Sequence, residues 1–255
     1  MLSLWPRQAS SLIIGHRGAM GYAPENTLAS FEEAIRRGVD AIELDVQLTA
    51  DGQVAVMHDT SVDRTTNGEG MVRDLPLKKI QSFDAGAWYG PDYAKQYVPS
   101  LTDVISRFRN RRTVRHQALG WVIELKTVRG AGGSLADAVV ALLQREEFMD
   151  RVFIISFDPV ALQVVRSAHK SVPLGLLYSE EGDESRIAQA RWISAQAVFP
   201  RKTCVTARGV MAAHKAGLAV AAWTANTKNE MKRMLACGVD SICTNYPDRL
   251  RSLME

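Results

Sequence analysis

The sequence predicts an α/β fold, a TIM-type (β/α)8 barrel with a small insertion after the hairpin that follows its second strand. Three observations predict it. The length of 255 residues is the usual size of one such barrel. Short, apolar, β-rich runs alternate with helical patterns, as a parallel sheet with crossover helices requires. Charged residues punctuate the ends of several runs, where a barrel of this kind gathers its functional groups. Residues 1–255 are therefore read as one domain, with the insertion at about 59–105.

The strand candidates are residues 12–16, 41–47, 53–58, 121–126, 152–157, 173–178, 195–199, 218–223 and 241–244, one more than a barrel holds. The turn Thr49-Ala50-Asp51-Gly52 explains the surplus, because its Asp-Gly pair folds 53–58 back antiparallel against 41–47. If Leu48 pairs with Gln53, Glu43 comes opposite His58, within one residue. Asn26 is the expected cap of a helix that turns Leu28, Phe31 and Ile35 inward and ends at a left-handed Gly38. Gly238-Val239-Asp240 enters the last strand as Gly38-Val39-Asp40 enters the second, which is shared helix-to-strand chemistry and too short an echo to be a repeat. The segment from His58 to Trp121 is too long for one crossover. It contains the loop-like Thr65-Thr66-Asn67-Gly68-Glu69-Gly70 and Gly90-Pro91-Asp92, and its Phe83, Trp88, Tyr89 and Tyr93 suggest a small packed unit before a returning helix at 101–108.

Composition narrows the function classes. Apolar residues make up 46% and charged residues 23%, an ordinary globular balance. A net charge of +3, from 31 Lys and Arg against 28 Asp and Glu, is too weak and dispersed for a nucleic-acid partner. Arg107, Arg109, Arg111, Arg112 and Arg115 form one local basic patch, read as solvated charge at a helix end. Cys204, Cys237 and Cys243 are odd in number and lack a Cys-x-x-Cys pair, which argues against a disulfide framework or structural zinc and for a reducing compartment. Residues 2–5 are too short for a secretory core, and 217–223, the longest apolar stretch, is far below the roughly 20 residues of a bilayer span. A cytoplasmic protein without stable membrane insertion is expected; oligomeric state is not legible.

Barrel strands should be apolar, yet Ala41-Ile42-Glu43-Leu44-Asp45-Val46 carries two carboxylates at alternate positions, hence on one face. Trp121-Val122-Ile123-Glu124-Leu125-Lys126 repeats the pattern with an acid and a base. Ion pairing of Glu124 with Lys126 and of Glu43 with Arg17 would account for either strand alone. The first run, however, ends Ile14-Gly15-His16-Arg17-Gly18 and the hairpin arm ends His58-Asp59, so the charged ends point to a shared site. Three carboxylates at one point repel unless a cation neutralises them, and a hard divalent ion, Mg2+ or Ca2+, fits Glu43, Asp45 and Glu124. His116, His169 and His214 fall in helical or loop contexts and are read as structural or solvated.

At separated points spanning almost the whole chain the sequence resembles the glycerophosphodiester phosphodiesterase family: His16-Arg17-Gly18, Pro24-Glu25-Asn26-Thr27, Glu43-Leu44-Asp45, His58-Asp59, Glu124-Leu125-Lys126 and Trp223-Thr224-Ala225-Asn226, with Arg64-Thr65-Thr66-Asn67-Gly68 as a further feature. The resemblance implies that Glu43, Asp45 and Glu124 bind the divalent ion and that His16 and His58 act as general acid and base. It also implies that Arg17 and Lys126 grip the phosphate, and that Trp223 and Phe157 line the glycerol side. The implied reaction is hydrolysis of a small-molecule glycerophosphodiester to sn-glycerol 3-phosphate and an alcohol. Attack by water or by the neighbouring glycerol hydroxyl, and the order in which the histidines act, stay open at this point. The alternatives are a lysophospholipase D-like activity on lipid diesters and a non-catalytic phosphate-binding barrel.

Overall fold

The computed structural model describes residues 11–114, 116–127 and 132–255, so residues 2–5 and Arg115 lie outside the described residues. Within them the chain runs β1 (Leu12–Gly15), α1 (Leu28–Arg36), β2 (Ala41–Leu48), β3 (Val54–Val56), α2 (Leu77–Ile80), α3 (Leu101–Phe108), β4 (Gly120–Leu125), α4 (Gly132–Arg145), β5 (Val152–Ser156), α5 (Pro159–Ala168), β6 (Leu174–Tyr178), α6 (Asp183–Trp192), β7 (Ala197–Pro200), α7 (Ala207–Lys215), β8 (Ala219–Ala222), α8 (Lys228–Cys237), β9 (Ser241–Thr244) and α9 (Pro247–Met254). β1 pairs in parallel with both β9 and β2, which closes the sheet, and the other parallel strands follow in the order β9-β8-β7-β6-β5-β4-β2. This is the predicted (β/α)8 barrel. The ninth run is the hairpin arm β3, antiparallel on β2.

The hairpin register differs by one residue from the expected one. Leu48 pairs with Val54 and Val46 with Val56, because the loop is Ala50-Asp51-Gly52, with Thr49 N–H donating to Gln53 O at 2.9 Å. Gly52 takes φ +72, the left-handed residue that a three-residue hairpin loop needs. Glu43 is therefore level with Asp59, one residue from His58 and inside the expected margin.

Side-chain alternation explains where the site forms. Ile14, Ala41, Val122, Ile155, Ala221 and Cys243 point into the barrel and belong to its inner cluster with Phe153, Leu177, Ala197 and Phe199. Two residues further along, on the same face, come His16, Glu43, Glu124, Phe157, Trp223 and Asn245. Each strand thus changes from apolar filling to functional group in one step of its pleat, at the C-terminal mouth.

The opposite faces pack under the helices. Phe31 of α1, Phe108 of α3 and Trp121 of β4 are all at most 1% exposed, with ring centroids 5.7 to 6.0 Å apart. Such a trio contributes about 0.5–1.5 kcal/mol per aromatic pair beyond its area burial. α1 is capped by Thr27, whose Oγ1 accepts from Ser30 N–H at 3.2 Å, rather than by Asn26 as expected. Asn26 sits at φ +57, and its side chain is drawn into the barrel mouth instead. Gly38 is left-handed at φ +81, as expected. Between β3 and α3, Val62, Val72, Ile80, Ala85 and Val98 pack with Ala55 and Met57 into a cluster of their own. In the basic patch Arg107 and Arg111 reach Glu32 at 3.0 and 2.6 Å, and Arg109 reaches Glu146 at 3.2 Å.

Candidate active site

The turn after β1 aims its groups by backbone geometry. Gly18 has φ +87, and a Cβ there would lie 2.3 Å from Ser30 Oγ, so only glycine fits against α1. Arg17 itself is left-handed at φ +51. That conformation, costing on the order of 1–3 kcal/mol for a non-glycine residue, turns its N–H onto Glu43 Oε2 at 2.9 Å. The guanidinium passes Glu43 and reaches Glu25 Oε1 at 2.7 Å and Asp45 Oδ2 at 3.2 Å. The expected Arg17–Glu43 pairing is therefore made by the backbone, not the side chain.

The acids meet because β2 and β4 pair in parallel with Asp45 beside Glu124. Glu43, Asp45 and Glu124 are 4%, 1% and 7% exposed, and each offers an oxygen within 4.8 Å of the others. Lys126 Nζ lies 2.6 Å from Glu124 Oε1 and 3.1 Å from Asp45 Oδ1. Asn26 clamps Asp45 from both sides: its Nδ2 donates to Oδ2 at 2.8 Å, and its Oδ1 accepts from the Asp45 N–H at 3.3 Å.

Burial, then repulsion from Asp45 and Glu124, raises the Glu43 carboxyl well above its usual range. Burial and Asp45 push Glu124 up to about 7, against the pull of Lys126. Asp45 goes the other way, for although burial opposes its ionisation, Lys126 and Arg17 hold it far below the usual range.

Five acids (Glu25, Glu43, Asp45, Asp59 and Glu124) stand among three cations (Arg17, Arg64 and Lys126) in this network. Full ionisation leaves an excess equal to one divalent cation. Asp45 Oδ1 is also buried, with the Lys126 ammonium 3.1 Å away. Hard, buried oxygen donors and an uncompensated charge of two fit a hard divalent ion. Glu43, Asp45 and Glu124 form a possible metal site.

The histidines flank this cluster with different supports. His16 Nδ1 is 2.7 Å from Asn245 Oδ1, and burial, with Arg17 beside it, pushes the imidazole down to about 4. His58 Nδ1 is 2.6 Å from Asp59 Oδ1, and the hydrogen bond from Arg64 keeps the Asp59 carboxylate at about 2. Burial lowers His58 as well, aided by Lys126. Both contacts assign the proton to Nδ1, since a carboxylate or an amide oxygen only accepts, and that leaves each Nε2 with a free lone pair.

A cavity of about 250 Å3 opens on these groups and is lined by His16, Arg17, Glu43, His58, Glu124, Lys126, Phe157 and Trp223 over an apolar floor of Ile14, Val122, Ile155, Leu177, Phe199 and Cys243. Phe157 stands edge-on to Trp223 with centroids 5.6 Å apart, and Trp223 Nε1 donates to Phe199 O at 2.8 Å. All the predicted site residues line this cavity except Asp45, which lies behind it. Asn245, Asn26, Glu25, Asp59 and Arg64 enter the site without an assigned role. Glu25, Asn26, Asp59 and Arg64 stand in the motifs that carry the family resemblance, and Asn245 lies two residues beyond Cys243, just past β9.

Among the described residues no helix is long and apolar enough to cross a membrane. A sequence profile of the glycerophosphoryl diester phosphodiesterase family matches residues 16–249. A glycerophosphodiester phosphodiesterase of Caldanaerobacter subterraneus is 34% identical, over 96% of this chain and 98% of its own length. One of Bacillus subtilis is 34% identical, over 93% of this chain and 84% of its own. An Oleispira antarctica phosphodiesterase, solved with the product sn-glycerol 3-phosphate, superposes with a TM-score of 0.86 at 28% identity, over 94% of this chain and 95% of that one.

Proposed function

The chain belongs to the glycerophosphoryl diester phosphodiesterase family and is a glycerophosphodiester phosphodiesterase, and from that premise we propose that it cuts its substrate at the barrel-mouth cavity to sn-glycerol 3-phosphate and an alcohol, with one divalent cation, Mg2+ or Ca2+, held by Glu43, Asp45 and Glu124. The observation that carries this reading is the buried carboxylate triad, its oxygens within 4.8 Å of one another, opening on the same cavity as two histidines. When bound, the cation supplies charge neutralisation and polarisation of the phosphoryl oxygens.

The chain's own residues do the rest. Arg17 and Lys126 grip the phosphate, the one with a planar fork and the other as a point charge. His16 and His58 present free Nε2 atoms to the cavity. One takes a proton from the attacking hydroxyl and the other returns one to the leaving oxygen, which in-line displacement requires to happen on opposite sides of phosphorus. Phe157 and Trp223 cover the carbon skeleton of the glycerol and exclude water from that side.

The test is release of glycerol 3-phosphate from glycerophosphocholine and glycerophosphoethanolamine, first in chelator and then with Mg2+ or Ca2+ restored. Activity returns with an ion in the wild type, is absent in Glu43→Ala, and is abolished in His16→Ala and His58→Ala while the fold persists. Near-normal rates in both histidine variants would sink the acid-base assignment. The 46% exposure of Phe157 at the cavity mouth favours including lysophosphatidylcholine as the lipid alternative, and turnover of that substrate alone would move the assignment to a lysophospholipase D-like activity.

A further inference from the structure

Arg64 lies outside the cavity, touches none of its contents, and yet makes four hydrogen bonds to two carboxylates that stand directly behind cavity groups. Its Nε and Nη2 donate to Asp59 Oδ2 and Oδ1 at 2.5 and 3.1 Å, and its Nη1 and Nη2 donate to Glu25 Oε2 and Oε1 at 2.9 and 2.8 Å. Asp59 Oδ1 accepts from His58 Nδ1, and Glu25 Oε1 accepts from Arg17 Nη1. The result is one continuous chain, His58–Asp59–Arg64–Glu25–Arg17, with a group proposed above for catalysis at each end.

We propose that Arg64 is a positioning residue that fixes His58 and Arg17 relative to each other, so that the segment following the hairpin aligns the proton-transfer and phosphate-gripping groups of the barrel. The inference rests on the roles given above to His58 and Arg17.

Two features make the geometry suited to this task. A guanidinium bonded bidentately to two carboxylates permits one orientation of each, whereas an ammonium would let both rotate. Arg64 itself is held from below. Thr66 Oγ1 donates to Val62 O at 2.8 Å and accepts from Gly68 N–H at 3.0 Å, and Gly68 lies against the Phe83 ring, so the loop is tied to the cluster between β3 and α3. Asp59 in turn keeps the His58 proton on Nδ1, and His58 lines the cavity.

The experiment uses the full chain with the activating cation and glycerophosphocholine. Arg64→Ala is expected to lower kcat about 10- to 100-fold, the usual range for groups that orient a catalytic residue from behind. It should also raise KM, and leave the calorimetric affinity for the cation unchanged. Millimolar guanidinium should restore part of the lost kcat without affecting the wild type. Arg64→Lys, which keeps the charge and the fold, should fall between the two. Glu25→Gln cuts the chain on the Arg17 side only and should raise KM more than it lowers kcat. Independently of turnover, the imidazole nitrogen shifts of His58 should move in Arg64→Ala from an Nδ1-protonated form to a tautomer mixture.

Wild-type kcat and KM in Arg64→Ala, or an unchanged His58 tautomer, overturns the proposal. Loss of activity that guanidinium does not restore, with an unchanged His58, reduces Arg64 to a structural partner of buried Glu25 and overturns it as well. His58→Ala in the same assay separates the two levels. If that variant keeps its activity, the function proposed above fails, whereas an inactive His58→Ala beside an unaffected Arg64→Ala overturns the positioning role alone.

Discussion

Cation binding should expel protons, and the site's electrostatics set how many. Glu43 is raised well above the usual carboxyl range, and Glu124, at about 7, holds a proton about half the time in the cation-free site at pH 7. Both carboxylates must be ionised to bind, so about half a proton leaves Glu124 per ion at that pH, and Glu43 adds to the release. The apparent association constant should therefore rise with pH around neutrality, with a slope that declines as Glu124 ionises on its own. Titration calorimetry at pH 6, 7 and 8, each in buffers of different ionisation enthalpy, reads the proton count directly. Glu43→Gln should lower it. Zero protons released and an affinity flat from pH 6 to 8 would mean that the acids are already ionised without the ion, and that burial and mutual repulsion do not hold protons on Glu43 and Glu124.

The same shifts act on stability with opposite signs. Glu124 has its folded pKa raised, so the metal-free fold keeps a proton that the unfolded chain releases; stability falls as pH rises from about 4.5 to about 7, by on the order of 3 kcal/mol. His16, down at about 4, refuses a proton that the unfolded chain accepts, so stability falls as pH drops from 6.5 to about 4 by a similar amount. The two oppose each other in the metal-free protein. With the cation bound the Glu124 contribution disappears, and the loaded protein should lose stability on acidification more steeply than the chelated one, as thermal melts with and without chelator would read.

Two further outcomes follow from single side chains. Asn26→Ala removes both hydrogen bonds that hold Asp45; cation affinity should weaken roughly 10-fold and stability fall by about 1–3 kcal/mol, measured by calorimetry and urea unfolding, and unchanged affinity would mean that Lys126 and Arg17 alone hold Asp45. Trp121→Ala should cost about 3–5 kcal/mol, whereas Trp121→Phe should cost distinctly less, because the buried indole Nε1 has no hydrogen-bond partner to lose; equal losses in urea unfolding would indicate a bond unseen here.

What could be read from the sequence was whatever depends on neighbours along the chain. Short apolar runs separated by helical patterns marked the strands, and period-2 alternation put the acids at two strand ends on one face. The reading slipped where distant groups compete for a local one. Thr27 and Asn26 are both good helix caps, and nothing local says that Asp45, nineteen residues on, draws Asn26 away. The hairpin register turned on whether Thr49 pairs across the loop, which depends on Gly52 taking its left-handed conformation. The partner choice of Arg17, past Glu43 to Asp45 and Glu25, follows from a turn geometry that only the folded loop defines. Arg64 meets Glu25 across 39 positions, a distance at which sequence carries no signal of pairing.

These long-range contacts divide the barrel into two unlike halves. The charged groups come from β1, β2, β4 and the hairpin side: Arg17, Glu43, Asp45, His58, Glu124 and Lys126. The facing wall, from β5 to β8, offers Ile155, Phe157, Leu177, Phe199 and Trp223. A glycerophosphodiester has the same division, with an anionic phosphorus centre joined to a carbon skeleton, so the reading proposed here seats each half of the substrate against its own kind. The apolar wall also sharpens the electrostatics opposite it. Because the described side chains on that side are mainly apolar, charges developing at phosphorus would, in that reading, be felt by Arg17 and Lys126 more strongly than in water. That advantage requires the charged half to be already aligned, since a poorly polarisable wall cannot reorganise to compensate for a misplaced imidazole or guanidinium. A site of this kind therefore has most to lose from slack behind its charged groups, which is where Glu25, Asn26, Asp59 and Asn245 stand.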